Sequence, residues 1–462
     1  MSKQGNFTDR IGTEKIEKLL FDFSIPAIIG MVVSAIYNIV DRIYVGQGVD
    51  SLGIAAISLV MPVMLILMAA SMLIGVGANS LFSIRLGEGR RNEVEKIMGH
   101  AFALLFLVPG IVIVVSLVFL DEILIKILKA SPDIFPFAKT YLQIIFYGGI
   151  FSAMGPGLNH FIRSDGHPRT SMFTQLLGAI INIVLDPIFI FVFDWGIAGA
   201  AWATIISQFV SFVWVMIYFN SGWTKLRFRL QYFKLELHLT LSIIAIGFAP
   251  FAMQAAISFV NILLNRSLST YGGDIAVTAM GVAYSVFIMI IMPLQGLNQG
   301  AQPIIGYNYG AKQFGRVKKT YKLAVIYSTI FCLVGFALLH IFPEIIISAF
   351  KIQRGSDLMA MSVQAMRIST MLMPILGFQI ISSNYFQAIG KPLQGTLLSL
   401  SRPIIFYIPL LMIMPNFYGV RGVFLAMPLA DSIALFLSLC VMFFEIRRLN
   451  RLSAANVSNL RN

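Results

Sequence analysis

Long apolar stretches separated by short polar segments recur along the whole chain. A transmembrane helix needs about 20 mainly apolar residues, because the hydrocarbon core of a bilayer is roughly 30 Å thick. Several of the stretches exceed that length, so we expect tilted helices or helices that extend beyond the bilayer. The twelve predicted spans are 23–45, 53–84, 95–120, 135–164, 168–193, 196–220, 243–270, 275–309, 319–342, 358–388, 393–414 and 418–446.

The composition is that of a protein whose surface faces lipid. Hydrophobic residues make up 58% of the chain, charged residues make up 12%, and the mean hydropathy is +0.83. Soluble globular domains carry about 25% charged residues. We therefore predict an all-α polytopic membrane protein with twelve transmembrane helices.

Basic residues are concentrated in alternate loops. If the N-terminus is cytoplasmic and the loops alternate between the two sides, 24 of the 34 Lys and Arg residues lie on the cytoplasmic side and 7 lie on the outer side. Cytoplasmic loops are expected to carry this excess of basic residues. The first apolar run is too long for the h-region of a cleavable signal peptide. We expect a multi-pass membrane protein with both termini in the cytoplasm. The net charge of +13 then reflects topology, and no nucleic-acid partner is predicted.

The two halves of the chain repeat each other. A shift of 224 residues places Pro26 on Pro250 and Gly166 on Gly390. Repeats of this kind are common in secondary transporters, where two lobes surround a central substrate cleft. The predicted regions are a cytoplasmic segment 1–22, an N-lobe 23–220 with six helices, a linker 221–242, a C-lobe 243–446 with six helices, and a cytoplasmic tail 447–462.

Three acidic residues lie well inside the predicted spans: Asp41, Asp186 and Asp431. An ionisable residue within a membrane is costly, so each is a functional hypothesis. The alternative for Asp41 is an ion pair at the membrane edge, and the alternative for Asp186 is a helix-packing hydrogen bond. Asp431 has Arg402 on the neighbouring span. A buried ion pair between the two is therefore favoured over a site at which Asp431 would bind a coupling cation.

Asp41 and Asp186 are both predicted to lie in the outer half of the N-lobe. Asn182 precedes Asp186 by four residues and shares its helix face, and Thr204 lies early in the next span. Carboxylate, amide and hydroxyl oxygens suit an alkali cation, and two close carboxylates can share a proton. We predict a coupling site for H⁺ or Na⁺ at these four residues. No cofactor is expected, and no metal other than Na⁺.

The substrate cleft and a hinge are predicted from aromatic, amide and proline residues. Flat rings attract organic cations through cation–π contacts, and a proline within a helix can kink it. Pro26, inside the first span, is the predicted hinge. The predicted cleft residues are Tyr37, Tyr147, Gln175, Gln254, Asn261, Tyr284 and Gln295.

Several motifs resemble those of the multidrug and toxic compound extrusion (MATE) family, over roughly 23–446. They are "FSIPAIIGMVVSAIYNIVDRIYVGQG", "IGVGANSLFSIRLGEGR", "NIVLDPIFIF", "GIAGAAWATIISQ" and "GLNQGAQPIIGYNYGAK". The resemblance, which is to the bacterial multidrug-efflux and DinF-like branches, implies an antiporter that exports bulky, often cationic organic compounds against inward proton or sodium flow. The resemblance to archaeal-type relatives within the family also implies a coupling-cation site at the positions of Asp41, Asn182, Asp186 and Thr204.

Other functions fit the sequence less well. A lipid-linked precursor flippase of the same superfamily is the alternative, but few Arg or Lys residues fall in mid-membrane here. An enzyme is not predicted, because no HExxH or paired Cys/His spacing occurs. The sequence contains no GxxxxGK loop, which argues against an ATP-driven pump. A two-lobe repeat is not typical of a passive channel. Twelve helices suffice for a monomer, whose partners would be the lipid bilayer and small amphipathic drugs.

Overall fold

The structure is a computed structural model that describes residues 7–49 and 51–459. All regular secondary structure in these two ranges is helical, which confirms the predicted all-α polytopic fold. The first half contains α1 Phe7–Thr13, α2 Ile16–Gly48, α3 Ser51–Gly87, α4 Arg91–Val118, α5 Leu120–Glu122, α6 Phe135–Ser164, α7 Pro168–Pro187 and α8 Gly196–Asn220. The second half contains α9 Leu237–Gly310, α10 Phe314–Ile341, α11 Pro343–Ser348, α12 Asp357–Ser369, α13 Met373–Ala388, α14 Pro392–Leu400 and α15 Ile408–Asn459.

Two glycines divide the longest helices into separate spans. Helix α9 has 74 residues and would run about 110 Å if straight, more than three times the thickness of a hydrocarbon core. It is broken at Gly273, where φ is 63° and ψ is −164°. Helix α15 is broken in the same way at Gly419, where φ is 56° and ψ is −138°. Glycine adopts a positive φ without the steric cost that a Cβ imposes.

The twelve predicted spans have counterparts in the described part of the chain. Eight helices there are long and apolar enough to cross a membrane, and α12 with α13, bent by 48°, adds a ninth. The breaks at Gly273 and Gly419 each add one more span. The 30-residue α6 completes the set.

The repeat is visible in corresponding turns of the two halves. Gly166 and Gly390 both have a positive φ, of 95° and 70°. Pro168 and Pro392 then open α7 and α14, a position where the missing N–H of proline costs no helical hydrogen bond. The same turn therefore occurs 224 residues apart, as the sequence repeat predicts.

The segment between the halves packs against α4. Its residues Leu230–Phe233 form one 3₁₀ turn, and Arg229 pairs with the buried Glu95 of α4 at 2.7 Å. The Glu236 backbone N–H donates to Nε2 of His100 at 2.9 Å. Helix α9 begins directly afterwards, six residues before the predicted start of the seventh span.

Glycine contacts between α3 and α9 join the two halves. A Cβ at Gly247 would lie 1.7 Å from the Leu73 carbonyl oxygen, and one at Gly87 would lie 1.9 Å from that of Tyr307. These helices therefore touch backbone to backbone. The contacts extend to the end of α3, which the predicted topology places at the cytoplasmic face. We call this contact between α3 and α9 the glycine seam.

Candidate functional site

Two glycines of α2 set its distance from α7. A Cβ at Gly30 would lie 2.7 Å from Oε1 of Gln175 on α7. A Cβ at Gly48 would lie 2.1 Å from Ile190, in the π-helical turn that follows α7. Because α2 approaches α7 closely at both points, Asp41, which lies between them, faces α7 across a short gap.

Helix α7 presents Asn182 and Asp186 on one face. The residues are one turn apart, and Nδ2 of Asn182 donates to Oδ1 of Asp186 at 3.3 Å. Both are buried, with 1% and 0% of their surface exposed. Pro187 ends the helix because it has no N–H to continue the hydrogen-bond ladder, and the π-helical turn Ile188–Val192 follows.

The carboxyl groups of Asp41 and Asp186 lie beside each other. Oδ1 of Asp41, Oδ2 of Asp186 and Oδ1 of Asn182 are buried with no hydrogen-bond partner in the described structure. Buried polar atoms in native proteins nearly always have a partner. Three such oxygens around two acids can accept a proton or a small cation.

No basic residue pairs with either acid in the residues that the structure describes. Arg42 follows Asp41 in sequence, but its Nη2 points to Sδ of Met61 at 3.4 Å. The ion-pair alternative for Asp41 therefore has no partner here. Two uncompensated carboxylates in a buried site are unfavourable, so the site is suited to holding positive charge.

Thr204 and two tyrosines lie around the pair formed by Asp41 and Asp186. Thr204 is half-buried on α8, and its hydroxyl makes no hydrogen bond to Asp41 or Asp186 in the described structure. Tyr37 lies near both acids. Tyr141, on α6, is 3% exposed and also lies near both. The sequence did not single out Tyr141, because a single hydroxyl in an apolar span is a weak signal.

The residues predicted to line the substrate cleft fall in separate places. Gln254 and Gln295 line a cavity of about 300 Å³, which we call the C-lobe cavity. Tyr37 lies beside the acidic pair of the N-lobe, and Gln175 packs between α2 and α7. The predicted set is thus split between the two halves.

The other three predicted cleft residues are not among the described residues that line the C-lobe cavity. Tyr147 is 61% exposed. Asn261 and Tyr284 are half-buried on α9. The Tyr284 ring stacks on Phe287 with centroids 6.5 Å apart, an ordinary packing contact between residues of one helix.

Polar residues that the sequence did not single out also line the C-lobe cavity. Gln379, Ser383 and Gln387 lie four residues apart on α13 and line it together. Their spacing, which places them on one helix face, is the signal that could have identified them. Arg402 lines the same cavity.

Arg402 and Asp431 form the ion pair that the sequence favoured. Nε of Arg402 donates to the Asp431 carboxylate. The Asp431 side chain is 1% exposed, whereas that of Arg402 is 26% exposed. Asn265, which matches Asp41 in the repeat, is exposed. The C-lobe therefore has no counterpart of the N-lobe acidic pair in the described residues.

Pro26, the predicted hinge, is buried within α2. The helix is continuous from Ile16 to Gly48 around it. Ser24 and Ile28, on either side, pack against Gly300 and Gly296 of α9. Bending at Pro26 would therefore change the contact of α2 with the second half, and the hinge stays a prediction.

Comparison with known proteins gives consistent results. Multidrug export protein MepA of Staphylococcus aureus is 28% identical over 432 residues, which is 94% of each chain. A MATE transporter solved in a bent conformation superimposes with a TM-score of 0.91 at 23% identity, covering 98% of this chain and 100% of that one. An outward-facing multidrug resistance transporter of the MATE family gives a TM-score of 0.89 at 22% identity, covering 98% and 99%.

The family match itself repeats within the chain. The MatE family model matches residues 26–188 and again residues 250–413. The two matches begin 224 residues apart, which is the offset of the sequence repeat. The two solved structures share the fold, and the family model covers more than half of the sequence. The resemblance found in the motifs is therefore confirmed, and this chain belongs to the MatE family.

Proposed function

We propose that this protein is a secondary active antiporter that exports organic, often cationic and lipophilic compounds, driven by inward flow of H⁺ or Na⁺. The similarity to multidrug export protein MepA supports efflux. The observation that carries the coupling mechanism is the proximity of Asp41, which is half-buried, to the fully buried Asp186, with a buried and unpartnered oxygen on each and no basic partner in the described residues.

The proposed coupling site consists of Asp41, Asn182 and Asp186, with Thr204 as an outer member. A proton or Na⁺ that enters neutralises one negative charge of the pair. Neutralisation removes the repulsion between the two carboxylates, which lets α2 bend near Pro26 and shifts the balance between outward-facing and inward-facing states. The central cleft then opens alternately to the two sides of the membrane.

Ion gradients of ordinary size supply enough free energy to export a substrate against its concentration gradient. One net charge that crosses 100 mV gives about 2.3 kcal/mol. A gradient of one pH unit adds about 1.4 kcal/mol. Together they support a substrate concentration ratio of roughly 500-fold, because each 1.4 kcal/mol corresponds to a factor of about ten.

Proteoliposomes test the proposal. The purified protein is reconstituted, a fluorescent lipophilic cation is loaded, and proton and sodium gradients are imposed separately. We expect efflux to follow one of the gradients. Asp41→Asn should abolish gradient-driven efflux without reducing insertion, whereas Asp274→Asn, which changes an exposed acid, should leave efflux unchanged. Undiminished efflux by the Asp41 variant would reject the mechanism.

The same proteoliposomes test the alternative function, and labelling in intact cells tests the orientation of the protein. A flippase of lipid-linked precursors would move a labelled lipid and not the lipophilic cation. The proposed location is the bacterial inner membrane, with a monomeric protein and both termini in the cytoplasm. Labelling of single cysteines placed near each terminus in intact cells tests that orientation, and labelling from outside would contradict it.

A further inference from the structure

The C-lobe cavity differs in charge from the proposed coupling site. It has a volume of about 300 Å³ and is lined by residues of α2, α3, α9, α13, α14 and α15, and by Arg402 in the π-helical segment Ser401–Tyr407 between α14 and α15. Among the described residues that line it, Arg402 is the one charged side chain, and no acid is present. Its partner Asp431 is 1% exposed and does not line the cavity, so the charged group that faces the cavity is positive and disfavours an organic cation. The cavity therefore suits a different class of ligand.

The Arg402 guanidinium has N–H donors that make no hydrogen bond in the described structure. Its Nε is engaged by the Asp431 carboxylate, but neither Nη atom makes a hydrogen bond in the described structure. The side chain keeps 26% of its surface exposed while Asp431 is buried. Asp431 thus holds the guanidinium in place, and the two Nη atoms remain available to a ligand. A planar pair of donors matches the two oxygens of a carboxylate.

A second polar group adjoins this position. Gln379 is 8% exposed and lines the same cavity. Its Nε2 donates to the Asp431 carbonyl oxygen at 2.6 Å, while its Oε1 is buried without a hydrogen-bond partner in the described residues. An acceptor without a partner is satisfied when a ligand supplies an N–H or O–H.

The rest of the wall suits an apolar or aromatic body. The polar groups Gln254, Gln295 and Ser383 are interspersed with apolar side chains. Those apolar side chains are Met31, Met72, Met253, Ile257 and Leu376. Methionine side chains are flexible and adapt to ligands of different shapes. A mostly apolar pocket with a few fixed polar groups is the usual form of a small-molecule site.

We propose that the C-lobe cavity is a binding subsite for amphipathic compounds that carry a carboxylate. Arg402 binds the carboxylate through its Nη atoms, Gln379 accepts a hydrogen bond from the ligand, and the methionine-rich wall holds the aromatic part. This inference extends the proposed function, because it adds compounds with a carboxylate to the substrates and places them in a cavity lined mainly by the half opposite to the coupling site.

Two matched fluorescent probes test the subsite. Dansylglycine carries a carboxylate and a sulfonamide N–H, whereas dansylglycinamide has a neutral amide in place of the carboxylate. Each is titrated into the purified full-length protein in detergent, and the change in dansyl fluorescence gives the dissociation constant. We expect dansylglycine to bind about tenfold or more tightly than its amide, because a charge-assisted pair is stronger than a neutral one.

The double variant Arg402→Gln/Asp431→Asn removes the guanidinium without leaving a buried charge unpaired. It should weaken dansylglycine binding by about tenfold or more and leave dansylglycinamide within roughly twofold. Arg421→Gln, which removes an exposed arginine of the helix that carries Asp431, is the matched control and should change neither. Equal weakening of both probes, or unchanged dansylglycine binding in a monodisperse double variant, would overturn the proposal.

A second variant applies if the double variant fails to fold. Arg402→Lys keeps the positive charge and its pairing with Asp431 but loses the planar pair of donors. It should reduce the preference for dansylglycine over the amide, and an unchanged preference would overturn the proposal. Asp41→Asn separates this inference from the proposed antiport: it should abolish gradient-driven efflux while dansylglycine binding in detergent stays at the level of the unaltered protein.

Discussion

The glycine seam gives a quantitative prediction for the substitution Gly247→Ala. A Cβ at this position would lie 1.7 Å from the Leu73 carbonyl oxygen, whereas real Cβ contacts are essentially never under 3.0 Å. The two backbones must therefore separate by more than about 1 Å to admit one methyl group. Overpacking of this kind costs about 1–3 kcal/mol. The cost falls on conformations in which α3 and α9 are in contact.

A cost of that size changes the balance between conformations. Since 1–3 kcal/mol corresponds to roughly 5–150-fold in an equilibrium constant, Gly247→Ala should raise the population with a separated seam by that factor. The variant should otherwise remain folded, because alanine is favoured over glycine within a helix by about 0.5–1 kcal/mol. Gly281→Ala is the matched control: it lies in the second span of α9, beyond the break at Gly273, and its Cβ would meet no atom within 4 Å.

Cysteine accessibility measures the opening. Ser80 is 0% exposed and accepts a hydrogen bond from Nε2 of Gln302 across the seam at 3.1 Å. A Ser80→Cys probe is made after Cys332 and Cys440 are replaced by alanine, and it is labelled with a membrane-impermeant maleimide from the cytoplasmic side. Gly247→Ala should increase the initial labelling rate by about 5–150-fold, and Gly281→Ala should not.

The result that would refute this reasoning is a labelling rate for the Gly247 variant equal to that of the Gly281 control, in protein that elutes as one monodisperse species. The close approach of the two helices would then not determine whether the cytoplasmic side is closed. An increase that appeared with labelling from the outside would also contradict the predicted direction.

Two further predictions concern stability at the predicted cytoplasmic face. Tyr218→Phe removes the hydroxyl that donates to Oδ2 of the buried Asp165 at 2.7 Å, so it should lower the free energy of unfolding in detergent by about 1–3 kcal/mol; an unchanged midpoint would contradict this. Lys391→Met leaves Glu445, 5% exposed, without its lysine partner and should cost roughly 2 kcal/mol or more. Lys319→Met breaks an exposed pair and should change thermal unfolding little, so equal losses would refute the role of burial.

The fold was predictable because its signals are local. Each span is a run of apolar residues, and the run alone determines that the segment is a membrane helix. The turn at Gly166 and its repeat at Gly390 depend on short motifs of glycine and proline, and the structure confirms both. The boundaries were less well predicted: α9 begins six residues early, because the end of an apolar run does not fix where a helix starts.

The candidate site was predictable only in part. Asn182 and Asp186 share a helix face, so their spacing alone predicted their proximity. Asp41 lies on another helix, and its proximity to Asp186 depends on the close packing of α2 on α7 at Gly30 and Gly48. Tyr141 joins the same site from α6.

The sequence by itself determined that this protein lies in a lipid bilayer, how many spans it has, and that its two halves repeat each other. It also identified the few acids that lie within the membrane. These properties follow from composition and from spacing along one helix. Only the tertiary structure decided that Arg402 faces a cavity, that the predicted cleft residues divide between the halves, and that α3 meets α9 at glycines. Such features depend on which side chains of distant segments meet, and distances between helices are set by packing rather than by any local pattern.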